Sequence, residues 1–150
     1  MVEIKEVTSN YPELCVLFAG GEPLQYNRNF VFNHIANELS YVNFFLYTNG
    51  SIPIKDIFSE NLHYIVECKT PSSKCEDSFL IENVKLLRLN FDCINFTMTK
   101  SDIPFVKEKI AEIIKVKPFL EINLTPTGDL SIKELSEFVI SNKLPVHIKI

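Results

Sequence analysis

The chain lacks the features that mark several broad classes of protein. No apolar run reaches the roughly 18 residues needed to span a bilayer, and the first residues lack the apolar core of a signal peptide. There is no basic run, and the formal net charge is −4 at pH 7, which disfavours nonspecific binding to nucleic acid or to a membrane surface. We therefore expect a cytoplasmic protein that binds neither nucleic acid nor membranes directly.

Cysteine is scarce and scattered. The 150 residues contain four cysteines, namely Cys15, Cys68, Cys75 and Cys93. In a chain without a secretory signal, buried thiols are favoured over a disulfide framework. Cys68 and Cys75 flank a polar loop, but metal sites are usually built from paired Cys/His sets, which are missing here. We predict no metal site from these residues.

The sequence does contain a repeated alternation of apolar strands and helices. Strands are predicted at about residues 14–18, 43–47, 64–68, 93–98, 119–124 and 145–150. Helices are predicted at about residues 29–40, 79–87, 102–117 and 131–142, with one helical turn at 54–58. The strands are continuously apolar, which favours a parallel sheet covered by helices. The prediction is one α/β domain over residues 1–150, either a partial (β/α) barrel or an open parallel sheet of about six strands with helices outside.

Polar, turn-forming residues follow five of the predicted strands. They are residues 20–23, 48–50, 69–73, 99–102 and 125–128. Right-handed crossovers place the carboxyl ends of parallel strands at one edge, where ligands bind in such sheets. Gly20 and Gly21 allow positive φ and close approach of a ligand, and Glu22 adds a carboxylate. The alternative is a tight strand-to-helix turn without a ligand.

Two of these loops resemble a known enzyme superfamily. Residues 18–24, Phe-Ala-Gly-Gly-Glu-Pro-Leu, resemble the Gly-Gly-Glu-Pro motif of radical S-adenosylmethionine enzymes, and Tyr-Thr-Asn-Gly at 47–50 follows at the spacing of that superfamily. Lys-Thr-Pro-Ser at 69–72 and Leu-Thr-Pro at 124–126 are similar to loops of 7-carboxy-7-deazaguanine synthases. The resemblance implies a partial (β/α) barrel, S-adenosylmethionine, a [4Fe–4S] cluster and Mg²⁺. It also implies a role in making queuosine-type deazapurines for tRNA modification.

The resemblance further implies roles for individual residues. Those expected to bind the cofactor are Gly20, Gly21, Glu22, Asn49, Lys69 and Pro126. The Gly-Gly-Glu segment would hold the methionyl amino group, since a carboxylate beside exposed backbone suits an ammonium. Lys69 would face a carboxylate or a ribose, and Pro126 would lie near the adenine. Lys100 and Asp102 are nominated by position alone, and no catalytic residue is assigned.

The sequence departs from the family in its cysteines. The superfamily binds its cluster with Cys-x3-Cys-x2-Cys, and the cysteines here do not have that spacing. We therefore expect that this chain alone does not perform the radical reaction, and that it is a fragment, one part of a split enzyme or a degenerate relative. A second hypothesis is a non-catalytic module that binds a nucleotide-like ligand or a partner. A third is an oligomerising protein, because an exposed sheet edge invites a homodimer or a complementary chain.

Overall fold

The computed structural model describes residues 2–11, 13–55, 59–75 and 78–150. The strands are β1 (Cys15–Phe18), β2 (Asn43–Thr48), β3 (Leu62–Glu67), β4 (Cys93–Met98), β5 (Glu121–Pro126) and β6 (His147–Ile148). The helices are α1 (Val2–Asn10), α2 (Asn29–Glu38), α3 (Asn83–Leu86), α4 (Ile103–Val116) and α5 (Ile132–Asn142). Short 3-10 helices cover Gln25–Asn27, Pro71–Ser73 and Lys100–Asp102.

The strands form one parallel sheet whose spatial order follows the chain, from β1 to β6. The two end strands do not pair with each other, so the sheet is open and not closed into a barrel. This confirms the prediction of an open parallel sheet of six strands with helices. Because every strand runs in the same direction, all the carboxyl ends lie at one edge, which we call the rim.

The two faces of the sheet differ in composition. Alternate residues on one face, the covered face, are buried with the helices in a single apolar core. From the strands this core takes Phe44, Leu46, Leu62, Tyr64, Val66, Ile94, Phe96, Met98, Ile122 and Leu124. From the helices it takes Phe32, Ala36, Val84, Val106, Ile110, Ile113 and Leu135. The opposite face, the open face, contributes no strand residue to the buried part of this core.

Helices α4 and α5 form for the reasons that the sequence predicts. In α4, Val106, Ile110 and Ile113 recur at helical spacing and are buried. At the start of α5, the backbone N–H of Glu134 donates to the Ser131 hydroxyl, and the Glu134 carboxylate accepts from the Ser131 backbone N–H. This is a capping box, which satisfies donors that the first helical turn leaves unpaired.

The helix predicted over residues 79–87 is wrong in extent, because only the four residues of α3 are helical. The preceding segment instead contacts the loop after β2. The backbone N–H of Leu80 donates to the Gly50 carbonyl at 3.0 Å, and the Asn83 amide donates to the carbonyls of Gly50 and Ile52. Tertiary contacts therefore override the helical pattern there. The predicted turn at 54–58 lies partly outside the described residues, and α1 was not predicted.

Candidate functional site

Glu22 is the centre of a hydrogen-bond cluster at the rim. Its Oε1 accepts from the Thr48 hydroxyl at 2.7 Å and from the Leu24 backbone N–H at 3.0 Å. Its Oε2 accepts from the Asn49 backbone N–H at 2.8 Å. A carboxylate has about four lone-pair positions, so three donors leave one of them on Oε2. The side chain is half-buried, and the carboxylate is held in place with acceptor capacity left over.

The two glycines before Glu22 present exposed backbone. Gly20 has φ +94° and Gly21 has φ +59°, conformations that side chains rarely adopt. A Cβ atom at either position would meet nothing within 4 Å. These glycines are therefore required by the turn and not by packing, and the space above them is open to a ligand.

Asn49 contributes its backbone, not its side chain, to the Glu22 cluster. The Asn49 Oδ1 atom accepts from the backbone N–H of Ser51 at 2.8 Å, and this contact shapes the turn. At the end of that turn, a Cβ atom on Gly50 would come within 2.9 Å of both Val66 and Phe79. Each residue of the Thr-Asn-Gly sequence thus has its own structural reason. Thr48 donates to Glu22, Asn49 accepts within the turn, and Gly50 leaves room for Val66 and Phe79.

Asp102 joins the two neighbouring rim loops. Its carboxylate accepts from the backbone N–H and hydroxyl of Ser72, at 2.9 and 2.7 Å. It also accepts from the backbone N–H and hydroxyl of Thr99, both at 2.8 Å. Burial acts to raise the pKa of Asp102, but these hydrogen bonds outweigh it and hold the pKa below its usual range. Asp102 therefore has a structural role, because the loops after β3 and β4 are both bound to it.

The remaining predicted residues lie elsewhere along the rim. Lys69 is half-buried and forms no ion pair within the described part of the chain. Pro126 lines a cavity of about 440 Å³ together with Gly128, Ser131 and Lys149. Lys100 instead forms an ion pair, since its Nζ donates to the Glu134 carboxylate at 2.6 Å. That contact, with those from Ser131, lowers the pKa of Glu134 to about 2. The rim position of every nominated residue agrees with the prediction, while their roles stay predictions.

The open face carries a row of hydrogen-bonded polar side chains that the sequence reasoning missed. We call Tyr47, Glu67, Asn95 and Asn123 the polar row. Tyr47 donates to Glu67 at 3.0 Å, Asn95 donates to the Tyr47 hydroxyl at 3.1 Å, and Asn123 donates to Asn95 at 3.0 Å. Strand register places Glu67, Asn95 and Asn123 side by side. The sequence signal that could have predicted this row is a polar residue at a similar position in each of the apolar strands.

The polar row is shielded from water and rich in acceptors. Glu67 is 6% exposed and Asn123 1% exposed, and the Asn123 Oδ1 atom has no hydrogen-bond partner. Burial raises the pKa of Tyr47, and the charge of Glu67 adds to this shift against the hydrogen bond from Asn95. At neutral pH the Tyr47 hydroxyl therefore stays protonated and donates a hydrogen bond to the Glu67 carboxylate.

The described residues do not fit an iron–sulfur cluster. Cys68 and Cys93 are buried, and burial raises their pKa values to about 12 and about 11, which disfavours the thiolate that ligates iron. All four cysteines are free, and no group of three or more His, Cys, Asp or Glu side chains gathers in the described ranges. We therefore assign no cluster or Mg²⁺ ligand to this chain. Among the same residues, no helix is both long and apolar enough to cross a membrane.

Comparison with known proteins finds a partial relative. The chain is 31% identical over 87 residues to a 7-carboxy-7-deazaguanine synthase of Thermoplasma acidophilum. The match covers 57% of this chain but 41% of the relative, so the chain spans less than half of that protein's length. No protein-family model matches the chain. No solved structure matches it significantly.

Proposed function

We propose that the rim binds S-adenosylmethionine and that Glu22 receives its methionyl ammonium group. The observation that carries this proposal is the free acceptor position on Glu22 Oε2, next to the exposed backbone of Gly20 and Gly21. An ammonium would form a charge-assisted hydrogen bond there, the strong kind of hydrogen bond in proteins. Thr48 and Asn49 hold the carboxylate in place before the ligand arrives.

Other rim residues would contact the rest of the ligand. The cavity beside Pro126 would take the adenine, and Lys69 would face a ribose or a carboxylate. The polar row on the open face would lie beneath a second reactant. In this proposal the residues of this chain bind and orient small molecules.

The wider role is a place in queuosine-type deazapurine biosynthesis, as a relative of radical S-adenosylmethionine enzymes. It is supported by the rim motifs and by the partial similarity to a 7-carboxy-7-deazaguanine synthase. In that superfamily the cluster supplies the electron that starts the reaction. Because no cluster ligand is assigned here, the proposal for this chain is confined to binding the cofactor and orienting the second reactant.

Isothermal titration calorimetry tests the ligand and the role of Glu22. S-adenosylmethionine should bind the wild-type chain, and Glu22→Gln should weaken binding by about tenfold or more, since a hydrogen bond to a charged group contributes roughly 1.5–3 kcal/mol. Glu108→Gln removes the same charge from an exposed position on α4 and should leave the affinity unchanged. Absence of binding, or an equal loss in both variants, contradicts the proposal.

The cavity beside Pro126 favours a second candidate, a module that binds a nucleotide-like ligand without reaction. Its volume of about 440 Å³ and its hydroxyl groups from Thr125, Thr127 and Ser131 suit a nucleoside. Adenosine, which lacks the methionyl group, separates the two candidates. If adenosine binds as tightly as S-adenosylmethionine and Glu22→Gln changes neither affinity, the nucleotide-binding module is supported and the leading proposal is wrong.

A further inference from the structure

Asn83 is a buried amide whose side chain is bound to one rim loop. It is 2% exposed and begins α3. Its Nδ2 atom donates to the carbonyls of Gly50 and Ile52, at 2.9 and 3.0 Å, and its Oδ1 atom accepts from the Ile54 backbone N–H at 2.9 Å. Residues 49–55 form neither helix nor strand, so their buried backbone groups need partners from elsewhere in the fold. Asn83 is the partner of three of these groups and thereby fixes the path of the loop after β2.

The segment that leads into α3 also packs against this loop. The backbone N–H of Leu80 donates to the Gly50 carbonyl at 3.0 Å, so this carbonyl accepts from both Leu80 and Asn83. A Cβ atom on Gly50 would lie 2.9 Å from the Phe79 ring, so the segment leaves no room for the turn to move toward it. We call residues 79–83 the support segment, because they hold the turn at residues 48–50 from one side.

The same turn donates hydrogen bonds to Glu22. The Gly50 backbone N–H donates to the Thr48 hydroxyl at 3.2 Å, and that hydroxyl donates to Glu22 Oε1 at 2.7 Å. A backbone N–H can only donate, so the hydroxyl accepts from Gly50 and directs its own proton to Glu22. The Asn49 backbone N–H donates to Glu22 Oε2 at 2.8 Å. Two of the three donors to Glu22 therefore belong to the turn, and a shift of the turn would move both.

The support segment departs from its local sequence pattern. The pattern over residues 79–87 predicts a helix, but helical structure begins only at Asn83. The departure directs the Leu80 N–H to Gly50 and not to a helical carbonyl. Departures from local preference are expected where a functional site requires a particular geometry.

We propose that Asn83 is a positioning residue of the ligand site and acts on Glu22 through the turn at residues 48–50. The inference rests on the proposed function, because it assigns Asn83 to the site that receives the methionyl ammonium group. Asn83 is buried and does not itself contact the ligand. It holds the two turn donors against the Glu22 carboxylate, and this directs the free acceptor position on Oε2. By thermodynamic linkage, the ligand stabilises the support segment when it binds.

A double-mutant cycle on the binding of S-adenosylmethionine tests this route by calorimetry. Asn83→Ala should weaken binding by about three- to thirtyfold, as expected for a residue that modulates a site without contacting the ligand. In a Glu22→Gln background the same change should have little further effect, because the carboxylate that Asn83 positions is gone. Circular dichroism of each variant checks that it is folded.

The matched control for this cycle is Asn61→Ala. The Asn61 Nδ2 atom donates to three backbone carbonyls, those of Ala36, Leu39 and Val42, and the residue directly precedes β3. The substitution therefore removes a comparable amide at the amino ends of the strands, away from the rim. It should lower stability and leave the affinity for S-adenosylmethionine unchanged.

Hydrogen exchange in the wild-type chain gives a second test that needs no substitution. Saturating S-adenosylmethionine should slow the exchange of the Leu80 and Gly50 backbone N–H groups, because the ligand and the support segment stabilise the same turn. The Val42 N–H, which donates to the Leu39 carbonyl before β2, should change much less. This measurement decides the question even if Asn83→Ala does not fold.

Three outcomes would overturn the inference while the proposed function stands. The first is an affinity that Asn83→Ala changes no more than Asn61→Ala does, which shows general destabilisation. The second is an equal loss from Asn83→Ala with and without Glu22→Gln, which shows a route that bypasses Glu22. The third is the absence of ligand-dependent protection at Leu80. In each case the wild-type chain still binds S-adenosylmethionine and Glu22→Gln still weakens binding. If the wild-type chain does not bind it, the proposed function fails and this inference fails with it.

Discussion

The strand β1 and the strand β4 have similar apolar sequences and very different surroundings. In β4, five of the six residues are buried, because β3 and β5 pair on its two sides and α4 covers one face. In β1, no residue is fully buried, and its exposed and half-buried positions alternate. Both strands read as interior strands of a parallel sheet. Their difference shows that burial depends on a strand's position in the sheet as well as on its composition.

This contrast separates the part of the core that is covered on both faces from the part that is exposed to water. In β2 to β5, helices pack on the covered face, and the open face carries the buried polar row. At β1, the groove beside α1 leaves apolar side chains in contact with water. The rim motif at Gly20–Gly21 therefore follows a strand in which no residue is fully buried.

Truncating one leucine in each region should give the largest difference. Leu124→Ala in β5 removes a fully buried side chain and should lower the free energy of unfolding by about 2–5 kcal/mol. Leu17→Ala in β1 removes an exposed side chain and should change it by about 0.5 kcal/mol or less in a dilute sample. Urea denaturation measures both. Equal losses would show that the β1 edge is as well packed as the centre.

The Asp102 cluster should give an intermediate effect that depends on pH. Asp102→Asn weakens contacts to Ser72 and Thr99 and should cost about 1–3 kcal/mol at pH 7. Because the folded-state pKa is lowered, the stabilisation is present above the unfolded pKa of about 3.9 and is lost as the pH falls through the folded value. The gap between wild type and variant should therefore close in acid. Asp129→Asn, which removes the negative charge of an exposed acceptor of the Lys100 backbone N–H, is the control.

The rates at which the cysteines react should show the contrast between β1 and β4 without any substitution that alters stability. Cys15 in β1 and Cys93 in β4 lie on the same face of the sheet, but Cys15 is exposed and Cys93 is buried. A thiol reagent at pH 8 should modify Cys15 and Cys75 quickly. Cys68 and Cys93 should react slowly, since burial raises their pKa values. Mass spectrometry assigns the sites. Fast modification of Cys93 would contradict the burial of β4.

The sequence predicted the positions of the strands and the main helices, because continuous apolar runs and helical spacing are local signals. It also placed the five rim loops together, since parallel strands share the direction of their carboxyl ends. It failed over residues 79–82, where contacts to Gly50 replace helical hydrogen bonds. It also missed the polar row, because alignment of Glu67 with Asn95 and Asn123 depends on strand register.

The sequence alone thus determined a parallel α/β sheet with a glycine–glutamate turn at its rim, because those features follow from residue patterns within short segments. Tertiary structure decided what each rim residue does. It engaged Asp102 with two loops and Lys100 with Glu134, while it left an acceptor position free on Glu22. It also decided that β1 pairs with β2 alone among the described residues. These outcomes depend on which strands become neighbours, and that is settled only when the whole sheet assembles.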